Sequence, residues 1–170
     1  AVYNNFVSTA AAAAGLDDIN GQAVTWTAMV STPYVDARDN APQFAPVYDL
    51  QMQLIAMGTD SLWGGFPTIM NNPIDITEFG NPLNGEYVWT GSDTSGLAVP
   101  KVSLGSNIFF ASYGNATSIF SSWAYSGVLP ARLNFPIYAL SSPIMVPGTG
   151  GTGDPGGGTG GTGGPGGGTG

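Results

Sequence analysis

From Pro147 to Gly170 the chain is written almost wholly in Gly, Thr and Pro, as PGTGGTGDPGGGTGGTGGPGGGTG. Asp154 carries its one charge, and past Val146 the only apolar side chains are proline rings. Such a stretch cannot bury enough apolar surface to offset the entropy of ordering it. Any core must therefore come from the residues before it. The chain divides into a globular β domain, 1–146, and a Gly/Thr/Pro-rich low-complexity tail, 147–170. Near-repeats run through the tail: PGGGTGGTGG starts at Pro155, and its opening returns at Pro165. Glycine does not fall at every third position, so a collagen triple helix is not encoded. The tail is expected either to be a flexible tail or linker, or to lie extended beside other such chains.

The body has the length of one ordinary domain. Val2–Ala14 ends in an alanine run before Gly15 and predicts a short N-terminal helix. Asp17–Gly21 predicts a turn. In Gln22–Ser31, Val24, Trp26, Ala28 and Val30 alternate with their neighbours, which predicts a half-buried strand. Thr32–Pro46 holds three prolines and several Asp and Asn, and reads as a long loop. Leu50–Met57 is open between strand and short helix, its alternating start favouring strand. Gly58–Pro82 is a Gly-, Pro- and Asn-rich connection with Trp63 and Phe66 embedded in it. Strands are expected at Gly85–Thr90, Leu97–Leu104 (an edge strand, because of Pro100), Asn107–Tyr113 and Leu133–Leu140. A turn is expected at Gly114–Asn115, with Ser118–Tyr125 following it. Short strands separated by closely spaced turns predict an all-β fold, a β-sandwich or jelly-roll-like barrel with a short N-terminal helix.

Charge narrows the function. Only 8% of residues are charged, and the net charge is −8. The cations are Arg38, Lys101 and Arg132, too few to neutralise a run of phosphates or an anionic lipid surface, so nucleic acid and membrane are not expected partners. No apolar run is long enough for a spanning helix. Thr9–Gly15 is too short, and lacks the basic flank, to read as a secretory signal. So charge-poor a surface is expected to be covered by subunit contacts.

Candidate chemistry is thin. Cys and His are both absent, which removes the usual zinc and copper ligands, disulfides and the common base of a nucleophilic triad. GTGGTG at Gly148–Gly153 matches a dinucleotide fingerprint literally, but it follows no βαβ strand and opens no helix. No spacing singles out a catalytic pair among the eleven acids. Asp36, Asp39 and Asn40 could offer oxygens to a calcium ion, but without EF-hand spacing they read better as turn residues. Asn115-Ala116-Thr117 is a glycosylation sequon. No enzyme, cofactor or metal site is expected. Trp26 and Trp89, at alternating strand positions, are expected in the core. Trp63, Phe66, Tyr34 and Phe44, in loops, are the candidates for contacts with other subunits, and for Trp63 and Phe66 core packing is an equal alternative.

Tyr3-Asn4-Asn5-Phe6, followed by the strand and loop Val24-Thr25-Trp26-Thr27-Ala28-Met29-Val30-Ser31-Thr32-Pro33-Tyr34-Val35-Asp36-Ala37-Arg38-Asp39-Asn40, resembles the opening of small tailed-bacteriophage virion structural proteins of the head-decoration kind. The resemblance covers about Val2–Asp49. It departs at Trp26 and Thr27, where the pattern has Lys-Val, and at Arg38 and Asn40, and it does not extend to the tail. It implies a structural virion component, most simply a capsid decoration or cement protein, assembled in the host cytoplasm and partnered by copies of itself and a major capsid protein. An extracellular filament subunit or surface adhesin, and a phage collar or tail-fibre component, are the alternatives.

Overall fold

The computed structural model describes residues 2–57, 61–64, 69–107 and 109–145. Phe66, Val146 and the tail 147–170 lie outside them. Helix α1, Val2–Ala13, forms where the alanine run predicts it. It stops at Gly15, which takes φ +73°. There the Gly15 N–H donates to the Ala12 carbonyl at 3.1 Å and the Leu16 N–H to Ala11 at 2.8 Å, the paired bonds of a Schellman ending. The turn at Asn20-Gly21 joins two-residue strands β1 (Asp18–Ile19) and β2 (Gln22–Ala23). Both turn residues have positive φ, 57° and 79°, as a tight hairpin of this twist requires.

The remaining strands are β3 (Trp26–Ala28), β4 (Val47–Tyr48), β5 (Leu54–Ala56), β6 (Tyr87–Trp89), β7 (Phe110–Asn115), β8 (Gly127–Pro130) and β9 (Ala139–Ser141). They make small antiparallel sheets: β1-β2, β3-β9, β4-β5 and β6-β7-β8. The β3-β9 pair joins residues far apart in sequence, with Trp26 opposite Ser141 and Ala28 opposite Ala139. The pair is extended by Met29 N–H donating to the Tyr138 carbonyl at 2.9 Å, and it is tied to the β6 segment by Ser31 N–H to the Thr90 carbonyl at 2.8 Å and Trp89 N–H to the Pro136 carbonyl at 2.9 Å.

Period-two alternation then sorts side chains onto two cores. Trp26, Ala28 and Val30 join Val7 of α1, Trp89, Leu104, Ile137 and Ala139 in one cluster. Met29, Val88, Tyr138 and Leu140, one residue out of phase, join Ile55, Leu62, Trp63 and Trp123 in the other. The extended chain around residues 26–30, 87–90 and 137–140 therefore runs between two hydrophobic clusters.

Several expected elements differ. Leu97–Leu104 is a chain of turns: Val102 and Ser103 N–H both donate to the Val99 carbonyl, and Lys101 adopts φ +69°. Only Ala98 makes a bridge, to Ser92. The turn expected at Gly114–Asn115 starts at Asn115 instead, because β7 continues to Asn115 against Tyr87, and the Ser118 N–H then donates to the Asn115 carbonyl at 3.2 Å. Within Ser118–Tyr125, Ser121–Trp123 coils into one 3₁₀ turn that places Trp123 in the core. Gly127–Pro130, unassigned from sequence, is the outer strand of its sheet, the position a proline tolerates. The loop Thr32–Pro46 contains one helical turn, α2 (Ala37–Asn40).

Candidate functional site

The described surface is hollowed near the start of α1. A cleft of about 300 Å³ opens there, half enclosed. Trp89, Leu104 and Ala111 form its buried floor, and Tyr3, Phe135 and Ile137 its walls. Its rim is apolar and wet: Val2, Phe6 and Phe110 are 77%, 61% and 47% exposed. Helix α1 presents Val2, Tyr3 and Phe6 here because its other stripe, Val7 and Ala11, is buried on β3. Behind the cleft an aromatic array stiffens the wall, with Trp89–Phe135 centroids 5.0 Å apart and Phe135–Tyr87 at 5.7 Å. Burial pushes the Tyr3 phenol above the usual tyrosine range.

Polar side chains near this surface are occupied in holding the fold. Asn4 and Asn40 form a reciprocal amide pair, at 2.9 and 3.2 Å. Asn4 Oδ1 also accepts from Ala28 N–H at 3.1 Å, and Asn40 Nδ2 donates to the Ala28 carbonyl at 2.8 Å. This clamp locks α1, β3 and α2 together, which gives the first Asn of the YNNF motif a structural task. Ser31, Thr90, Ser92 and Ser112 form a buried hydroxyl cluster in which Ser31 Oγ and Ser92 Oγ are 2.8 Å apart. Each has hydrogen-bond partners, and Ser31 Oγ accepts from the Ala37 N–H at 2.8 Å, so no hydroxyl is held beside a base as a nucleophile would be.

The candidate residues separate. Tyr34 and Phe44 are 93% and 70% exposed, on the loop between β3 and β4, and are available for contact. Trp63 is instead a core residue: its ring lies 5.2 Å from Trp123, and its Nε1–H donates to the Ala41 carbonyl at 3.1 Å. Gly96 packs against the Trp63 ring, which shuts it off from partners. Of its two expected roles, core packing is the one it has. Phe66 lies outside the described residues. Phe6 and Phe110 are not among the contact candidates that the sequence offers; periodicity marks the helix and strand but not which faces they leave bare. Trp26 and Trp89 are packed in the helix-side core as expected.

Asp36, Asp39 and Asn40 do not converge on an ion. Asp36 Oδ1 accepts from the Ala98 N–H at 2.6 Å, Asn40 is in the amide clamp, and Asp39 faces Arg38 at 3.9 Å on the surface. Among the described residues no group of three acids is placed to hold a metal. In the sequon, Asn115 Oδ1 accepts from Thr117 N–H and Oγ1–H at 2.9 and 2.8 Å, closing a turn at the end of β7. No described helix is long and apolar enough to cross a membrane. No family model matches the chain, and no curated protein matches it either.

Proposed function

We propose that this chain is a non-catalytic assembly protein that docks through the apolar cleft and rim at the start of α1. The observation that carries this is the exposure of Val2, Phe6 and Phe110 around a cleft, on a chain in which only 8% of residues are charged. A wet apolar rim around an aromatic-walled hollow is the form of a contact surface. Exposed Tyr34 and Phe44 provide a second apolar surface for neighbouring subunits. A layered β architecture of the sandwich kind belongs to the same proposal, supported by strands that run between two hydrophobic clusters.

The setting we propose is a tailed-bacteriophage virion, with the β domain bound many times over a shell of major capsid protein as a decoration or cement protein. Binding of this kind stabilises a shell by mass action, without chemistry. The charge-poor surface and the repetitive tail suit an extracellular filament or adhesin equally, and one experiment separates the settings. Electron cryo-microscopy of native material is expected to show the β domain on an icosahedral shell with Phe6 and Phe110 covered. A helical filament built of this chain alone would replace the virion with the extracellular setting. The docking surface is tested on its own by a Phe6→Ser/Phe110→Ser double variant, which is expected to fold normally by circular dichroism and to lose assembly in sedimentation. Unchanged assembly of that variant refutes the surface.

A further inference from the structure

Two Asn-Gly pairs occur in the described chain, Asn20-Gly21 and Asn84-Gly85. Asn-Gly is the dipeptide most prone to self-modification, because glycine leaves the following amide nitrogen unshielded. That nitrogen attacks the Asn Cγ, ammonia leaves, and a cyclic succinimide forms. Water then opens the ring to aspartate or isoaspartate, so the net change is amide plus water to carboxylate plus ammonia. The fold treats the two pairs differently.

At the first, the attacking atom is held. Gly21 N–H donates to Asp18 Oδ1 at 2.8 Å, and the hairpin register pins Ile19 opposite Gln22 on either side of the turn. A carboxylate against that N–H opposes loss of its proton, which the attack requires, because two negative charges would be brought together. The turn also fixes Asn20 at φ 57° and Gly21 at φ 79°.

At the second, the pair is a free span between anchors. Leu83 N–H is bonded to the Asp75 carbonyl at 2.6 Å, and the Glu86 carbonyl accepts from Ala116 N–H at 2.6 Å. Between them Asn84 and Gly85 are both exposed, and neither has a hydrogen bond among the described residues. Gly85 sits at φ +127° with open space where a Cβ would be. We propose that Asn84 is a spontaneous deamidation site in the folded protein, while Asn20 is protected by its hairpin. Conversion adds a negative charge beside Glu86 and, in the isoaspartyl form, an extra backbone carbon in the loop leading into β6.

The test is to incubate the full chain at neutral pH and physiological temperature, in native buffer and in guanidinium chloride, and to follow both peptides by mass spectrometry over time. In denaturant both are expected to convert at similar rates. In native buffer Asn84 is expected to convert and Asn20 to lag at least tenfold, and Asn84→Gln is expected to abolish the native-state change. The proposal is overturned if Asn84 stays intact in the native protein while the denatured chain converts, or if the two sites convert equally in native buffer.

Discussion

Gly114→Ala is the sharpest single test of how the two cores are joined. Gly114 is the next-to-last residue of β7, paired with Val88, and its backbone is not in the left-handed region, so alanine brings no torsional penalty. The cost is spatial. A Cβ there would overlap the Trp123 carbonyl oxygen and lie 2.7 Å from its carbon, where about 3.5 Å is needed. The obstacle is backbone and cannot rotate away. It is also held from behind: Tyr138 Oη–H donates to that same Trp123 oxygen at 3.3 Å, and Thr90 Oγ1–H to the Ala124 carbonyl at 2.7 Å. Pushing the 3₁₀ turn outward strains packing by about 1–3 kcal/mol. It also weakens a buried hydrogen bond worth about 1–3 kcal/mol if its partner is left unsatisfied. Together about 2–6 kcal/mol is expected, a large share of a stability on the order of 5–15 kcal/mol. At about 3 °C per kcal/mol for a domain of this size, Tm falls by about 6–18 °C. Thermal and guanidinium unfolding followed by tryptophan fluorescence read this directly, since Trp123 is itself displaced. Gly15→Ala is the control: φ is +73° with nothing within 4 Å, so only the left-handed penalty of about 1–2 kcal/mol applies. If Gly114→Ala is no less stable than Gly15→Ala, the close approach of the 3₁₀ turn to β7 is not as described.

Two further outcomes follow from side-chain hydrogen bonds. Asn4→Ala, which opens the clamp between α1, β3 and α2, is expected to cost about 1–3 kcal/mol in chemical denaturation. Exposed Asn5→Ala should stay within about 0.5 kcal/mol of wild type, and equal effects would refute the clamp. The Tyr138 phenol is pushed well above its usual range, first by burial and then by the Asp75 charge. Its unfolded counterpart ionises near pH ~10, so above that pH the unfolded state binds fewer protons and stability falls as pH rises, by up to about 1.4 kcal/mol per pH unit. Below pH ~10 this contribution is constant. Tyr138→Phe is expected to be less stable at neutral pH, through loss of its bond to Trp123, yet to show a shallower alkaline decline; an identical decline refutes the assignment.

Local rules settled much of the chain from sequence. The alanine run and Gly15 bound α1, Asn20-Gly21 closes a hairpin, and alternation places Trp26, Ala28 and Val30 on one face of a strand. Each depends on residues within a few positions of one another, where backbone preference and side-chain period act directly. What the sequence left open depends on partners far away. Lys101 and its neighbours turn rather than extend, because Ser103 and Leu104 must be carried back to the core, where the Leu104 N–H meets the Ser31 carbonyl at 2.9 Å. Ser121–Trp123 coils because Trp123 has a socket between Trp63 and Tyr138 that no local pattern announces. Trp63 is buried and Phe6 exposed for the same reason. Burial is decided by which surfaces meet, and the pairing of β3 with β9 across almost the whole body sets that meeting. Composition and strand patterning gave a charge-poor, mostly β chain; the long-range pairing decided which aromatic side chains fill its core and which remain exposed.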